Sequence, residues 1–127
     1  MFGGQLANGN AVNNLWILEI DKKNSLKWTD ASRLTKGKPP EPRFDHTMDR
    51  IREMLIIVGG RSKMEFIESV FVLDLETLAW TNIRIRAKTG HTRAILRAEH
   101  SSAVSRHEHK IYIFGGLDNH FKLSNEL

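Results

Sequence analysis

The chain has 127 residues, 40% hydrophobic and 27% charged, with no cysteine and a formal net charge of +4 at pH 7. Such a composition belongs to a globular domain rather than a disordered chain, and the missing thiols exclude disulfides and thiolate chemistry. The longest apolar run, Met54 to Val58, is far too short to span a bilayer. The positive balance permits attraction to acidic partners without choosing among them, and with no leader-like opening a cytoplasmic location is expected.

An apolar residue and a glycine pair, Phe2-Gly3-Gly4, stand at the start. A strand-like run from Leu15 to Asp21 follows, then a short turn and Trp28. Lys36, Lys38 and the stiff Pro39-Pro40-Glu41-Pro42 stretch lead to Arg43-Phe44-Asp45-His46-Thr47. A second apolar run ends in Gly59-Gly60, and Val70 to Glu76 forms the next strand-like run, with Trp80 behind it. Between Thr81 and Arg97 lie Arg84, Arg86, Lys88 and Arg93 and no acidic residue. Arg97-Ala98-Glu99-His100-Ser101 then precedes Ile111 to Gly116, and the chain stops at Asn125-Glu126-Leu127.

The three glycine pairs are 56 residues apart, twice, and the arginine, acid and histidine recur 54 residues apart. A period of this length is the mark of propellers and solenoids. Each run is short, rich in branched or aromatic residues and bounded by turn formers, so each reads as a strand; no window offers a capped amphipathic helix. The repeat therefore holds four strands: a after Arg43 or Arg97, b ending at the glycine pair, c at the Leu-Asp or Leu-Glu run, and d at the tryptophan. Residues 1–42 supply b to d and a linking loop, 43–96 a complete unit and its linker, and 97–127 a, b and the start of c.

Glycine pair, downstream strand and tryptophan in phase resemble the Kelch family over nearly the whole chain. The resemblance implies an all-β propeller with four-stranded antiparallel blades, one complete and two partial here. The period exceeds the roughly 50 residues usual for Kelch, so long loops are expected; Trp16 and Phe71 stand where tyrosine is common, which weakens the carry-over of a tyrosine hydrogen bond. In such a fold Trp28 and Trp80 should fill the space between blades. Asp45 with His46, and Glu99 with His100, are expected to satisfy one another as hydrogen-bonded pairs.

What the resemblance implies about chemistry is mostly negative. The copper site of galactose oxidase relatives needs a cysteine, and the iron motif of some Kelch proteins needs a histidine that the nearest match, Glu41, Asp45 and Asp49, lacks. His107 and His109 fall in the a–b turn and His120 beyond a glycine pair, so the three are expected on opposite faces. No cofactor is expected, nor an enzyme. The expected function is protein binding through the d–a and b–c loops, with Arg43, Arg61, Arg84, Arg86, Lys88, Arg93 and Arg97 meeting a protein partner that is acidic or phosphorylated. Nucleic acid and membrane are not expected as partners, and self-association through incomplete blades is. The alternative is a non-catalytic Kelch part of a larger enzyme, such as a phosphatase or a ubiquitin-ligase subunit.

Overall fold

Branched and aromatic runs joined by tight turns satisfy their backbone groups most simply as antiparallel ladders. The computed structural model, which describes residues 1–63, 65–85 and 96–125, has this organisation. Strands β1 (Phe2–Gln5), β2 (Ala11–Ile20) and β3 (Leu26–Asp30) form one sheet in that order. The complete blade orders β4 (Thr47–Ile51), β5 (Met54–Val58), β8 (Val70–Asp74) and β9 (Ala79–Ile83), all antiparallel. A small hairpin, β6 (Arg61–Ser62) with β7 (Glu65–Phe66), stands in its b–c loop, and β10 (Ser101–Ser105) pairs with β11 (Lys110–Phe114) in the last sheet. Apart from a single 3-10 turn at Ser32–Leu34, the described residues contain no helical element.

Alternation along the strands decides what is buried. In β8 the side chains of Phe71 and Leu73 point to one face and are buried, as the two-residue period of a strand requires. They meet Ile57 and Trp80 of their own blade and Phe2, Leu15 and Ala31 of the first sheet in one core cluster. The core thus lies between blades as much as within one. Trp80 is 6% exposed and packs edge-on against Phe2 with ring centroids 5.4 Å apart. Trp28 holds the same register, opposite Leu18 as Trp80 is opposite Leu73. It is nevertheless 53% exposed. Trp80 fills the space between two blades as expected, whereas no described residues pack against the corresponding side of the first sheet to cover Trp28.

The linker from β3 does not stay at one end of the propeller. Lys36 pairs in parallel with Ala79, its carbonyl accepts the Trp80 N–H at 2.9 Å, and its own N–H donates to Leu78 at 2.8 Å. This brings the linker beside the c–d turn of the next blade before it returns to Arg43. Gly37, at φ 76°, is needed there: a Cβ would come within 2.8 Å of the Trp80 carbonyl oxygen.

Candidate partner-binding face

The segment that enters each inner strand is built twice to one plan. Arg43 has 0% exposure, and its Nη1 donates to the Gly59 carbonyl at 2.9 Å. Its Nη2 reaches Ser69 Oγ at 2.8 Å and the Glu41 carboxylate at 2.6 Å, while the guanidinium lies over the Phe71 ring. Arg97, 7% exposed, repeats the first contact by donating to the Gly115 carbonyl at 3.2 Å. The side chain of each arginine therefore holds the glycine pair of its own blade.

The backbone of the same arginine holds the blade before it. Gly4 N–H donates to the Arg43 carbonyl, and Gly60 N–H to the Arg97 carbonyl, both at 2.8 Å. One residue later the loops are stitched by paired backbone bonds, Phe44 with Arg61 and Ala98 with Leu117. A side chain on the second glycine of the latter two glycine pairs would destroy this approach. A Cβ at Gly60 would stand 2.7 Å from the Phe44 oxygen and 2.8 Å from His46 Cβ, and one at Gly116 2.6 Å from the Ala98 oxygen and 2.9 Å from His100 Cβ. This is why the glycine pair and the Arg-x-acid-His segment recur together.

The acids and histidines of that segment do not hydrogen-bond each other: Asp45 turns to Arg61 of its own blade, and Glu99 and His100 reach the blade before theirs. Asp45 and Glu99, both at positive φ, grip Arg61 from two blades: Arg61 Nε lies 2.7 Å from Asp45 Oδ2, and its Nη2 3.0 Å from Glu99 Oε1. The same guanidinium lies over the Phe44 ring. His100 Nε2 meets Thr47 Oγ1 of the preceding blade at 2.9 Å. Burial, with the charges of Arg43 and His100, pushes the His46 pKa down to about 4, and burial with the Arg97 charge lowers that of His100. Both imidazoles are therefore neutral packing groups at pH 7. The b–c loops of successive blades also touch through Phe66 and Phe121, edge-on with centroids 5.3 Å apart.

The seven cations expected to face a partner divide accordingly. Arg43 and Arg97 are inside and hold the fold together; a buried guanidinium presents no surface to a partner. Arg61 sits at the loop face, with its charge met by two carboxylates. Arg84 is exposed at the end of β9. Arg86, Lys88 and Arg93 lie outside the described residues. Glu41 and Ser69, which complete the Arg43 site, were not singled out by the sequence: neither recurs in phase, and only the fold brings Ser69 back to the inner strand. Of the acidic triplet weighed as an iron motif, Glu41 is paired with Arg43 and Asp45 with Arg61.

One four-stranded blade, interlocked with a partial blade on each side through a glycine pair and the arginine of the next repeat, defines a β-propeller repeat module. The chain belongs to the Kelch-repeat family, matching the KLHDC2/KLHL20/DRC7 Kelch-repeats domain over residues 1–127. It is 30% identical over 116 residues to a Dictyostelium discoideum protein named "Probable serine/threonine-protein kinase", covering 91% of this chain and 8% of that protein. It is 32% identical over 124 residues to acyl-CoA-binding domain-containing protein 5 of Arabidopsis thaliana, covering 94% and 17%. An F-box/kelch-repeat protein of the same plant is 30% identical over 123 residues, covering 92% and 24%. The chain thus spans no more than about a quarter of the length of each.

Proposed function

We propose that the chain is a non-catalytic protein-binding module whose d–a and b–c loops form the contact surface. The observation that supports this is the clamp of Arg61 between Asp45 of one blade and Glu99 of the next. Together with the Phe66–Phe121 contact, it fixes loops from two blades in one rigid relation, and rigid loops on a scaffold cost little entropy on binding. The partner is acidic or phosphorylated and meets Arg84, Arg86, Lys88 and Arg93, a run with no acidic residue among them. Relatives named a probable serine/threonine-protein kinase and an F-box/kelch-repeat protein favour a second reading, in which this module is a non-catalytic part of a larger enzyme and recruits its substrates.

Affinity purification of the intact protein with its bound partners, followed by charge reversal at Arg84 and Arg86, tests the proposal. The reversal should weaken partner binding about tenfold or more and flatten its salt dependence. Unchanged affinity places the contact elsewhere.

A further inference from the structure

A second basic site lies at the opposite ends of the strands. Strand β5 runs from the a–b turn at Arg52 and Glu53 to the glycine pair at Gly59 and Gly60, so its five residues separate this site from the loops discussed above by about 17 Å. Here the a–b turns of two successive blades enclose an open groove of about 380 Å³, lined by Arg50, Ile51, Arg52, Glu53, Arg106 and His109. Arg52 and Arg106 are 54 residues apart, the same interval as Arg43 and Arg97. Each blade therefore contributes one arginine from its a–b turn to the groove.

The groove's charges do not cancel. Arg50 is held by Glu53, at 2.9 and 3.2 Å to the two carboxylate oxygens, and by the Arg52 carbonyl at 2.7 Å. Arg52 Nη2 lies 2.7 Å from His109 Nε2. A guanidinium can only donate, so in this contact the imidazole nitrogen is the acceptor. Arg106 has no ion-pair partner among the described residues. The nearest acid in its turn, Glu108, is engaged by Lys110 at 3.3 Å and by the Tyr112 hydroxyl at 2.8 Å. Three arginines against one glutamate leave a formal +2 on the lining residues. Ile51, at the inner end of β4, is buried and gives the groove an apolar wall.

We propose that this interblade groove binds an oxyanion carried by a protein partner, the carboxylate of an acidic side chain or the phosphate of a phosphorylated one. Two guanidinium forks from neighbouring turns suit bidentate capture of either group, and the apolar wall takes the aliphatic stem that joins the anion to its backbone. The site shares no residue with the surface in the proposed function, so either can fail without the other.

Calorimetric titration of the intact protein with four probes tests it: inorganic phosphate, a glutamate-rich hexapeptide, the same peptide carrying phosphoserine, and an RNA oligonucleotide. Arg52→Asn and Arg106→Gln should each raise the dissociation constant of the peptides about fivefold or more, whereas Lys22→Gln, an exposed charge in the β2–β3 turn that is no part of the groove's lining, should leave it unchanged. Asparagine suits the left-handed φ of 52° at Arg52, and Arg106→Gln in the exposed β10–β11 turn keeps the test alive if the first variant misfolds. The ratio of the two peptides' affinities identifies which oxyanion is preferred. Equal weakening by Lys22→Gln, no binding of any probe, or tighter binding of an RNA oligonucleotide than of both peptides would each overturn the proposal.

Discussion

Arg43 shows how one side chain can serve sequence, fold and interface at once. Burial pulls its pKa down while Glu41 opposes the shift; the guanidinium stays charged because its intrinsic pKa is so high. Its hydrogen bonds to Gly59 and Ser69 therefore carry charge, and Arg43→Met should cost about 3 kcal/mol, with the Gly59 carbonyl left unpaired. Arg43→Lys should recover only part of this, since one ammonium cannot reach both partners in the geometry of a fork; urea titration of the intact protein checks both. At His46 the consequence is a pH dependence. Its folded pKa of about 4 lies below the ordinary 6.5, so below pH 6.5 the unfolded chain takes up a proton that the folded one refuses. Stability is full above that pH and falls as pH drops towards 4, by up to about 3 kcal/mol; His46→Gln should flatten the profile in that window. The recurrence of arginine and histidine was legible in the sequence, but their direction was not. The left-handed backbone at Asp45 and Glu99 turns the acids towards Arg61 and leaves the arginines inside, and no pattern of charges announces that turn.

Strands and their order were the readable part at the level of elements, because a two-residue alternation and a repeated glycine pair each have a single mechanical meaning. Less readable was where the linkers run: Lys36 sits beside Ala79 through a parallel bridge, a contact set by Gly37 packing on Trp80 rather than by any local propensity. The glycine pair makes the sharpest prediction at this scale. Gly60→Ala places a Cβ on the Phe44 carbonyl at a φ of 92°, so the end of the b strand must pull away from the segment that enters its own inner strand and strain the Phe44–Arg61 backbone pair. A loss of about 2 kcal/mol or more is expected, read by thermal melting, whereas Gly9→Ala, with open space around its Cβ, should lose less. The Arg61 clamp is testable as a coupling between blades. A double-mutant cycle of Arg61→Met and Glu99→Gln should give about 1 kcal/mol or less, since Glu99 is half exposed. The Asp45 arm, shorter and less exposed, should give more.

In the whole molecule the interfaces matter more than the blades. Repeat proteins draw much of their stability from contacts between neighbours, and here the core cluster is shared between the first sheet and the complete blade. The described residues satisfy two such interfaces, one on each side of the complete blade, and leave the outer faces of the first and last sheets open. Trp28, Ile20 and Leu26 are exposed on the first sheet, and Tyr112 and Phe114 on the last. Among the described residues, β11 has a strand partner on one edge, β10, and β1 on one edge, β2. Open edges beside exposed aromatic residues invite pairing with another chain, so the 127-residue chain on its own should self-associate, whereas the same residues inside a closed propeller should not. Light scattering over a dilution series from about 100 to about 1 micromolar should show the mean mass falling with concentration. Trp28 provides a local reporter: its emission should shift to shorter wavelength as association buries it, and Trp28→Phe should abolish the concentration-dependent shift while leaving that of Trp80 constant. A cooperatively unfolding monomer across the whole series, with emission independent of concentration, would mean that one complete blade and its shared core suffice without the neighbours that a propeller supplies.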